Sequence, residues 1–502
     1  MESLFDLAGG FATAISPTNI LMCFLGVFLG QLVGVLPGIG PSAAIALLLP
    51  LTFGSDPTAS LIMFAGIYYG AQYGGTITSV LLSVPGESTT VMTSIEGYQM
   101  AKKGQGGVAL GISAIGSFFA GTVGALGLTF LAPPLAEAAL SFGPPEYFSL
   151  VVLGLMALAA VSGSSVLKGI AAGIGGLLLA TVGIDPQTGI SRFDFGAIWL
   201  LDGIEFIVLT VALFGIGEVL ASCSQATEAP VAKVARVLPN REEMRRSAMP
   251  IVRGSFTGFL IGVLPATGAT IASFVAYIIE KKVSKHPEKF GTGVIEGVAG
   301  PEASNNAAAA GAMVPMFALG IPGSGTTAII LGALIMFGLR PGPELFTQNS
   351  TLVWAVIASM YIGNFMLLIM NLPLAGMFAQ LLKVPYKWLY PPIITLCIVG
   401  VFSQANSLED CWLLAGFGAL GWAMKRYDWP MAPMILGLVL GPIFESTMRQ
   451  SLTMSHGSFE IFFSRPISLT LLVFAVLFVS LPLLAQLVSW WRRPAPPVGT
   501  AA

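Results

Sequence analysis

Long apolar runs alternate with short polar ones along almost the whole chain. Runs long enough to cross a hydrocarbon layer of about 30 Å fall at 58–95, 107–132, 146–162, 169–184 and 197–221. They resume at 296–338, 351–377, 389–404, 411–424, 428–444 and 467–490. A polar stretch, 222–253, with Lys233, Arg236, Arg241, Arg245, Arg246 and Arg253, separates the two sets. Two more apolar regions are interrupted midway: 20–53 by GVLPGIGP (Gly34 to Pro41) and 254–279 by GVLPATG (Gly262 to Gly268). The arms of the second are about 10 to 12 residues. At roughly 1.5 Å per residue each would cross half a bilayer. Both regions therefore read as re-entrant hairpins. Broken backbone is stable at membrane depth only where protein or a lined cavity surrounds it.

Charge sorts the loops into two sides. Loops rich in Lys and Arg stay cytoplasmic. The second hairpin has the basic stretch before it and Lys281, Lys282, Lys285 and Lys289 after it, so both ends read as inside. Residues 1–19 and 54–60 carry no Lys or Arg, so both ends of the first hairpin read as outside. Lys102, Lys103, Lys168, Lys383, Lys387, Lys425, Arg426, Arg492 and Arg493 then fall inside, and the intervening loops alternate. The segment 445–466 falls outside despite Arg449 and Arg465. The expected fold is an all-α polytopic membrane protein with about eleven transmembrane helices, two re-entrant hairpins and discontinuous helices. Its organisation is an N-terminal interfacial segment (1–19), a first repeat (20–221), a cytoplasmic linker (222–253), a second repeat (254–466), and a terminal helix with a cytoplasmic tail (467–502). The N-terminus is expected outside and the C-terminus inside.

Composition narrows the function classes. Of 502 residues, 55% are hydrophobic and 10% charged, against about 25% charged in a soluble domain. Only a bilayer suits that balance. Gly (60) and Pro (33) are abundant, as close helix packing and broken helices require. No long basic stripe exists for nucleic acid. Cys23, Cys223, Cys397 and Cys411 are scattered and read as small apolar residues. The two histidines, His286 and His456, fall in loops, and no HExxH, paired-aspartate or GxSxG motif is present, so an intramembrane enzyme is not expected.

The two halves resemble each other. GVLPGIGPSAA from Gly34 matches GVLPATGATIA from Gly262, and residues 70–90 align without gaps to 307–327. Gly74 pairs with Gly311, Pro85 with Pro322, Gly86 with Gly323, Thr89 with Thr326 and Thr90 with Thr327. Since charge gives the halves opposite orientations, this is an inverted-topology repeat. Such repeats bring broken helices together at the midplane, where half-helix N-termini suit anions and free carbonyls suit Na⁺. Candidate substrate contacts are Pro37, Gly38, Gly40 and Ser42 at the first tip, with Pro85, Gly86, Ser88, Thr89 and Thr90 at the first break. In the second half they are Pro265, Thr267, Gly268 and Thr270, then Gly323, Ser324, Thr326 and Thr327. Glu87, Glu302, Asn305 and Asn306 are candidates for handling a coupling ion, because ionisable groups at membrane depth are costly and usually functional.

The motifs GVLPGIGP, YGGTITSVLLSVPGES, GIDPQTGISRFDFG, GVLPATGA, EGVAGPEASNNAAAAGA and LGIPGSGTT together resemble the large membrane subunit (TctA type) of the tripartite tricarboxylate transporters, over roughly residues 20–490. The resemblance implies a secondary transporter of the bacterial inner membrane that imports tricarboxylates such as citrate or related carboxylates. It also implies a small membrane subunit (TctB type), a periplasmic binding protein (TctC type) and a Na⁺ or H⁺ gradient. The alternative is a passive anion channel or scaffold subunit, which needs no gradient.

Overall fold

The computed structural model describes residues 2–36, 39–161, 165–185, 187–222, 236–265, 267–381 and 390–491, and these are almost entirely helical. Helix α1 (Glu2–Ala14) leads into α2 (Pro17–Val35), and α3 (Pro41–Leu48) completes the first interrupted region. Helix α4 (Pro57–Leu82) ends at Ser83, whose φ of 60° is left-handed, and the chain restarts as α5 (Val91–Lys102). Next come α6 (Gly106–Ala139), α7 (Pro144–Val161) and α8 (Val166–Leu179). A small antiparallel pair, β1 (Gly183–Ile184) with β2 (Ser191–Arg192), closes the loop that follows α8. Helix α9 (Phe206–Val211) continues through a π-helical turn into α10 (Gly217–Ser222).

The second half begins with α11 (Arg241–Val263) and α12 (Gly268–Val283). Helices α13 (Glu296–Gly311) and α14 (Met313–Leu319) precede a break at Gly320, after which α15 (Gly325–Met336) resumes. The chain finishes with α16 (Pro343–Gln348), α17 (Ser350–Leu381), α18 (Tyr390–Ala405), α19 (Leu408–Arg426), α20 (Ala432–Met454), α21 (Ile461–Ser464) and α22 (Pro466–Trp491). Among the described residues, four helices are each long and apolar enough to span a bilayer unaided: Pro17–Val35, Gly106–Ala139, Pro144–Val161 and Ser350–Phe378.

One expectation fails. The arms of the second interrupted region are 23 and 16 residues, about 34 and 24 Å long, not half-bilayer arms. Helix α11 starts inside the stretch expected to be a linker. Asn240 accepts from the Glu243 N–H while Glu243 returns to the Asn240 N–H, a capping box that launches the helix in polar sequence. The arms do run back to back: Arg253 of α11 holds Glu280 of α12 in a bidentate pair at 2.5–2.8 Å.

Glycine stripes set the packing, and the two halves use them alike. A Cβ on Gly26, Gly30 or Gly34 of α2 would lie 2.2–2.4 Å from the carbonyls of Met63, Ile67 and Ala71 on α4. A Cβ on Gly254, Gly258 or Gly262 of α11 would lie 2.2–2.4 Å from those of Gly300, Ser304 and Ala308 on α13. Backbones this close gain dispersion contacts that larger residues would forbid. Asn371 accepts from Gln31 at 2.8 Å and Asn364 from Tyr73 at 3.1 Å, so both asparagines of α17 bond across helices.

Polar contacts between loops join loops that charge assigns to one side. Arg449 reaches Asp185 at 3.0 Å and Glu445 at 2.5 Å, and Arg465 reaches Glu146 at 2.9 Å. The two arginines that break the charge rule are thus neutralised by neighbouring acids. The Gln187 N–H and the Arg449 guanidinium hold Asp185 down at about 2. On the other side, Lys103 bonds Thr292 O and Lys168 bonds Tyr427 O, each at 2.6 Å. Pro37, Gly38, Cys223, Lys233, Lys383, Lys387, Arg492 and Arg493 lie outside the described residues.

Candidate functional site

A cavity of about 650 Å³ is lined by residues from both halves of the chain. On one wall, four helices begin. Helix α3 starts at Pro41, a short turn at Ser88–Thr90 opens α5, α12 starts at Gly268 and α15 at Gly325. Each start follows residues that stop the preceding helix. Ser83 and Gly320 take left-handed φ, as does Gly268 at 62°, and prolines at 85, 265 and 322 cannot continue a helix. Helix starts carry unpaired N–H groups and the positive end of the dipole. The wall they form bears Ser42, Glu87, Ser88, Thr89, Thr267, Gly268, Thr270, Ser324 and Thr326.

Hydroxyls tie the halves together there. Ser42 Oγ lies 3.0 Å from Thr326 Oγ1, and Ser88 Oγ lies 3.0 Å from Thr270 Oγ1. Each hairpin tip therefore meets the broken helix of the other half. Tyr68 Oη adds a contact to Ser324 Oγ at 3.2 Å. Both breaks are capped by reciprocal bonds, Ser324 with Thr327 and Glu87 with Thr90.

The remaining expected residues sit behind this wall. Thr90 and Thr327 are fully buried in their caps. Gly86 and Gly323 are not at the cavity surface. A Cβ on Gly86 would strike Gly75 Cα at 2.6 Å, and one on Gly323 would strike Ala312 Cα at 2.6 Å, so their smallness lets each break fold against its own helix. Gly40 caps α3, and Pro85 and Pro265 shape the turns. Glu302, Asn305 and Asn306 form a separate cluster.

That cluster is fully buried on α13. Glu302 accepts from Thr76 Oγ1 at 2.6 Å and from Thr93 Oγ1, and among the described residues it has no Lys or Arg partner. Asn306 Nδ2 donates to Ser117 Oγ at 2.8 Å and Asn305 Oδ1 at 2.6 Å. Ser113 Oγ, Ser304 Oγ, Asn305 Nδ2 and Asn306 Oδ1 have no hydrogen-bond partner among the described residues. A chain links the cluster to the cavity: Thr89 Oγ1 donates to Gln72 Oε1 at 2.7 Å, and Thr76 Oγ1 lies 3.2 Å from Gln72 O.

Sequence reasoning missed four side chains with polar groups that line the cavity: Tyr68, Gln72, Glu218 and Lys425. Tyr68 and Gln72 are polar positions four apart in an otherwise apolar run, a signal that was available. Gln72 is fully buried and its Nε2 donor has no partner among the described residues. An N–H donor left without an acceptor beside a cavity is what an anionic ligand would use.

The sequence pattern of the tripartite tricarboxylate transporter TctA family matches residues 20–436. The chain belongs to this family. It is 46% identical, over 97% of its length and 98% of the relative's, to an Agrobacterium vitis protein named "Uncharacterized 52.8 kDa protein in TAR-I ttuC' 3'region". It is also 43% identical to "Uncharacterized protein in TAR-II ttuC' 3'region" of the same organism, over 46% of this chain and 96% of that one. No solved structure matches significantly. As a TctA-family chain this is a multi-pass membrane protein of a transport system.

Proposed function

We propose that this chain is the substrate-translocating subunit of a binding-protein-dependent secondary transporter that imports a tricarboxylate or related carboxylate. The observation that carries the reading is the convergence of four helix N-termini and their hydroxyls on one cavity. Carboxylates suit such a place: backbone N–H groups and Ser and Thr hydroxyls donate, and the aligned dipoles favour negative charge. The partners in this reading are a TctB-type small membrane subunit and a TctC-type periplasmic binding protein, in a bacterial inner membrane. The N-terminus lies in the periplasm and the C-terminus in the cytoplasm. Loop contacts that respect the two charge-defined sides support that orientation, and the matched glycine stripes support an inverted-topology repeat.

The gradient of Na⁺ or H⁺ acts through the buried cluster in this reading. Buried carboxylates are stable when neutralised. Glu302 meets only neutral donors, so a proton or a cation completes it. The hydroxyl–amide chain through Thr76, Gln72 and Thr89 gives the bound ion a route to influence the first break. Alternating access follows from movement of the hairpin-bearing helices against the other helices, as in an elevator.

The test is uptake into proteoliposomes holding the chain and its small membrane partner, with binding protein outside. Labelled citrate, succinate and malate are supplied with a Na⁺ gradient, a pH gradient, or neither. Accumulation above equilibrium under one gradient is expected. Flux that only equilibrates the solute, gradient or none, means a passive channel, and no uptake of any carboxylate removes the reading.

A further inference from the structure

The lining of the same cavity also carries an ion pair. Lys425 stands in the last turn of α19 and Glu218 in the first turn of α10. The two helices touch through glycines: a Cβ on Gly217 would lie 2.9 Å from the Gly421 carbonyl carbon. That close approach sets Lys425 Nζ in hydrogen-bond contact with Glu218 Oε1. Both side chains line the cavity, beside the apolar Leu158, Val161 and Phe214. The Lys425 side chain is 36% exposed and that of Glu218 11%. The backbone just past Lys425 is held in place, since Tyr427 O accepts from Lys168. Among the described residues, Lys425 is the only Lys or Arg lining the cavity.

We propose that Lys425 receives a carboxylate of the transported anion and that Glu218 is its counter-ion until the anion arrives. This rests on the transport reading above and divides the anion between two anchors: one carboxylate for the helix starts and another for the lysine. Charge requires it. Helix starts supply about half an elementary charge each at best, and their effect fades within the first turn. A second negative group brought into this partly dehydrated space needs a full positive charge. Lys425 supplies it without loss, because the incoming carboxylate replaces a carboxylate of the same shape. Glu218, which lines the same cavity, turns away from the lysine as the anion takes its place.

A structural ion pair and an exchanging one predict opposite signs. Uptake is measured in the same proteoliposomes, with citrate, succinate and malate in turn, for wild type, Lys425→Met, Lys425→Arg, Glu218→Gln and the Lys425→Met/Glu218→Gln double variant. Monodisperse elution of each variant establishes folding. The proposal expects Lys425→Met to raise the half-saturating concentration about tenfold or more, the loss of one charged hydrogen bond. It expects Lys425→Arg to recover most of that loss, Glu218→Gln to lower the half-saturating concentration, and the double variant to stay with Lys425→Met. It also expects wild type to favour the accumulated acid over its monoamide, and Lys425→Met to lose that preference. Glu218→Gln impaired like Lys425→Met, with the double variant restored, overturns the proposal, as does a preference for the acid over its monoamide that Lys425→Met retains. Wild type that accumulates none of the three acids overturns the transport reading and this proposal with it.

Discussion

Helices α4 and α13 occupy equivalent places in the two halves but carry different interiors. Each lies along a glycine-striped partner at the same four-residue spacing, and each is followed by a break capped in the same way. Where α4 has Tyr68 and Tyr69, the gapless alignment gives α13 Asn305 and Asn306, and Glu302 answers Ala65. The caps differ too: Glu87 in the first half, Ser324 in the second. Backbones in contact leave no choice of residue, so the frame repeats. Side chains facing the cavity or the buried cluster meet no such limit, so the chemistry diverges. The clip between hairpin arms is also one-sided, for Arg253 and Glu280 align with Leu25 and Thr52.

The shared frame gives the largest expected effect. Gly30→Val and Gly258→Val place a Cβ 2.2–2.4 Å from a helix carbonyl in either half. Each should cost about 3 kcal/mol or more through overpacking, seen as lost monodisperse protein and a lowered melting temperature. Gly9→Ala, with open space around it, is the control. If one half tolerates its valine, the frames are not equivalent.

The divergent interior gives the next. Glu302→Gln keeps the size and the hydroxyl contacts but cannot take up a proton or pair with a cation. Gradient-driven uptake should fall about tenfold or more, as one unit of differential charge interaction is worth, while solute exchange without a gradient persists. Full gradient-driven uptake by this variant would move coupling away from α13.

Much of this was legible because the devices are local. Proline, glycine and hydroxyl residues stop and restart helices by themselves, so both tips and both breaks could be placed from GVLP and VPGES or IPGSG alone. Internal alignment then supplied tertiary pairs. Other features depend on what meets what. Lys425 reads from sequence only as a marker of sidedness, and its place on the cavity wall needs the Gly217–Gly421 contact. Glu96 reads as an ordinary polar residue. It is fully buried, accepting from Tyr277 Oη at 2.8 Å and from the N–H groups of Gly293 and Val294 at 2.7 and 2.8 Å, and so pins the loop before α13. The early start of α11 was readable from Asn240 and Glu243, but the density of charge there argued for a linker.

The caps test how far the difference between halves reaches. Ser324→Ala removes the acceptor for the Thr327 N–H and should cost about 1 kcal/mol of stability. Glu87→Gln keeps an acceptor at its cap and should change melting temperature less, while removing the acid from the anion's wall. Uptake kinetics should therefore separate the two variants: reduced for Ser324→Ala, and unchanged in half-saturation for Glu87→Gln. An impaired half-saturation in Glu87→Gln would mean that this carboxyl takes part in binding.

The smallest effects belong to the hydroxyl pairs that join the halves. Ser88→Ala and Thr326→Ala each delete one 3.0 Å contact between a tip and a break of opposite halves. Each should weaken half-saturation about fivefold, one neutral hydrogen bond of about 1 kcal/mol. The ratio between them is more informative than either value. Equal losses mean that the anion leans on both halves, as convergent helix starts imply. A loss confined to Thr326→Ala would place the anion on the second half's helix starts, away from the Glu87 carboxyl, and the asymmetry of the interior would extend to the binding site itself.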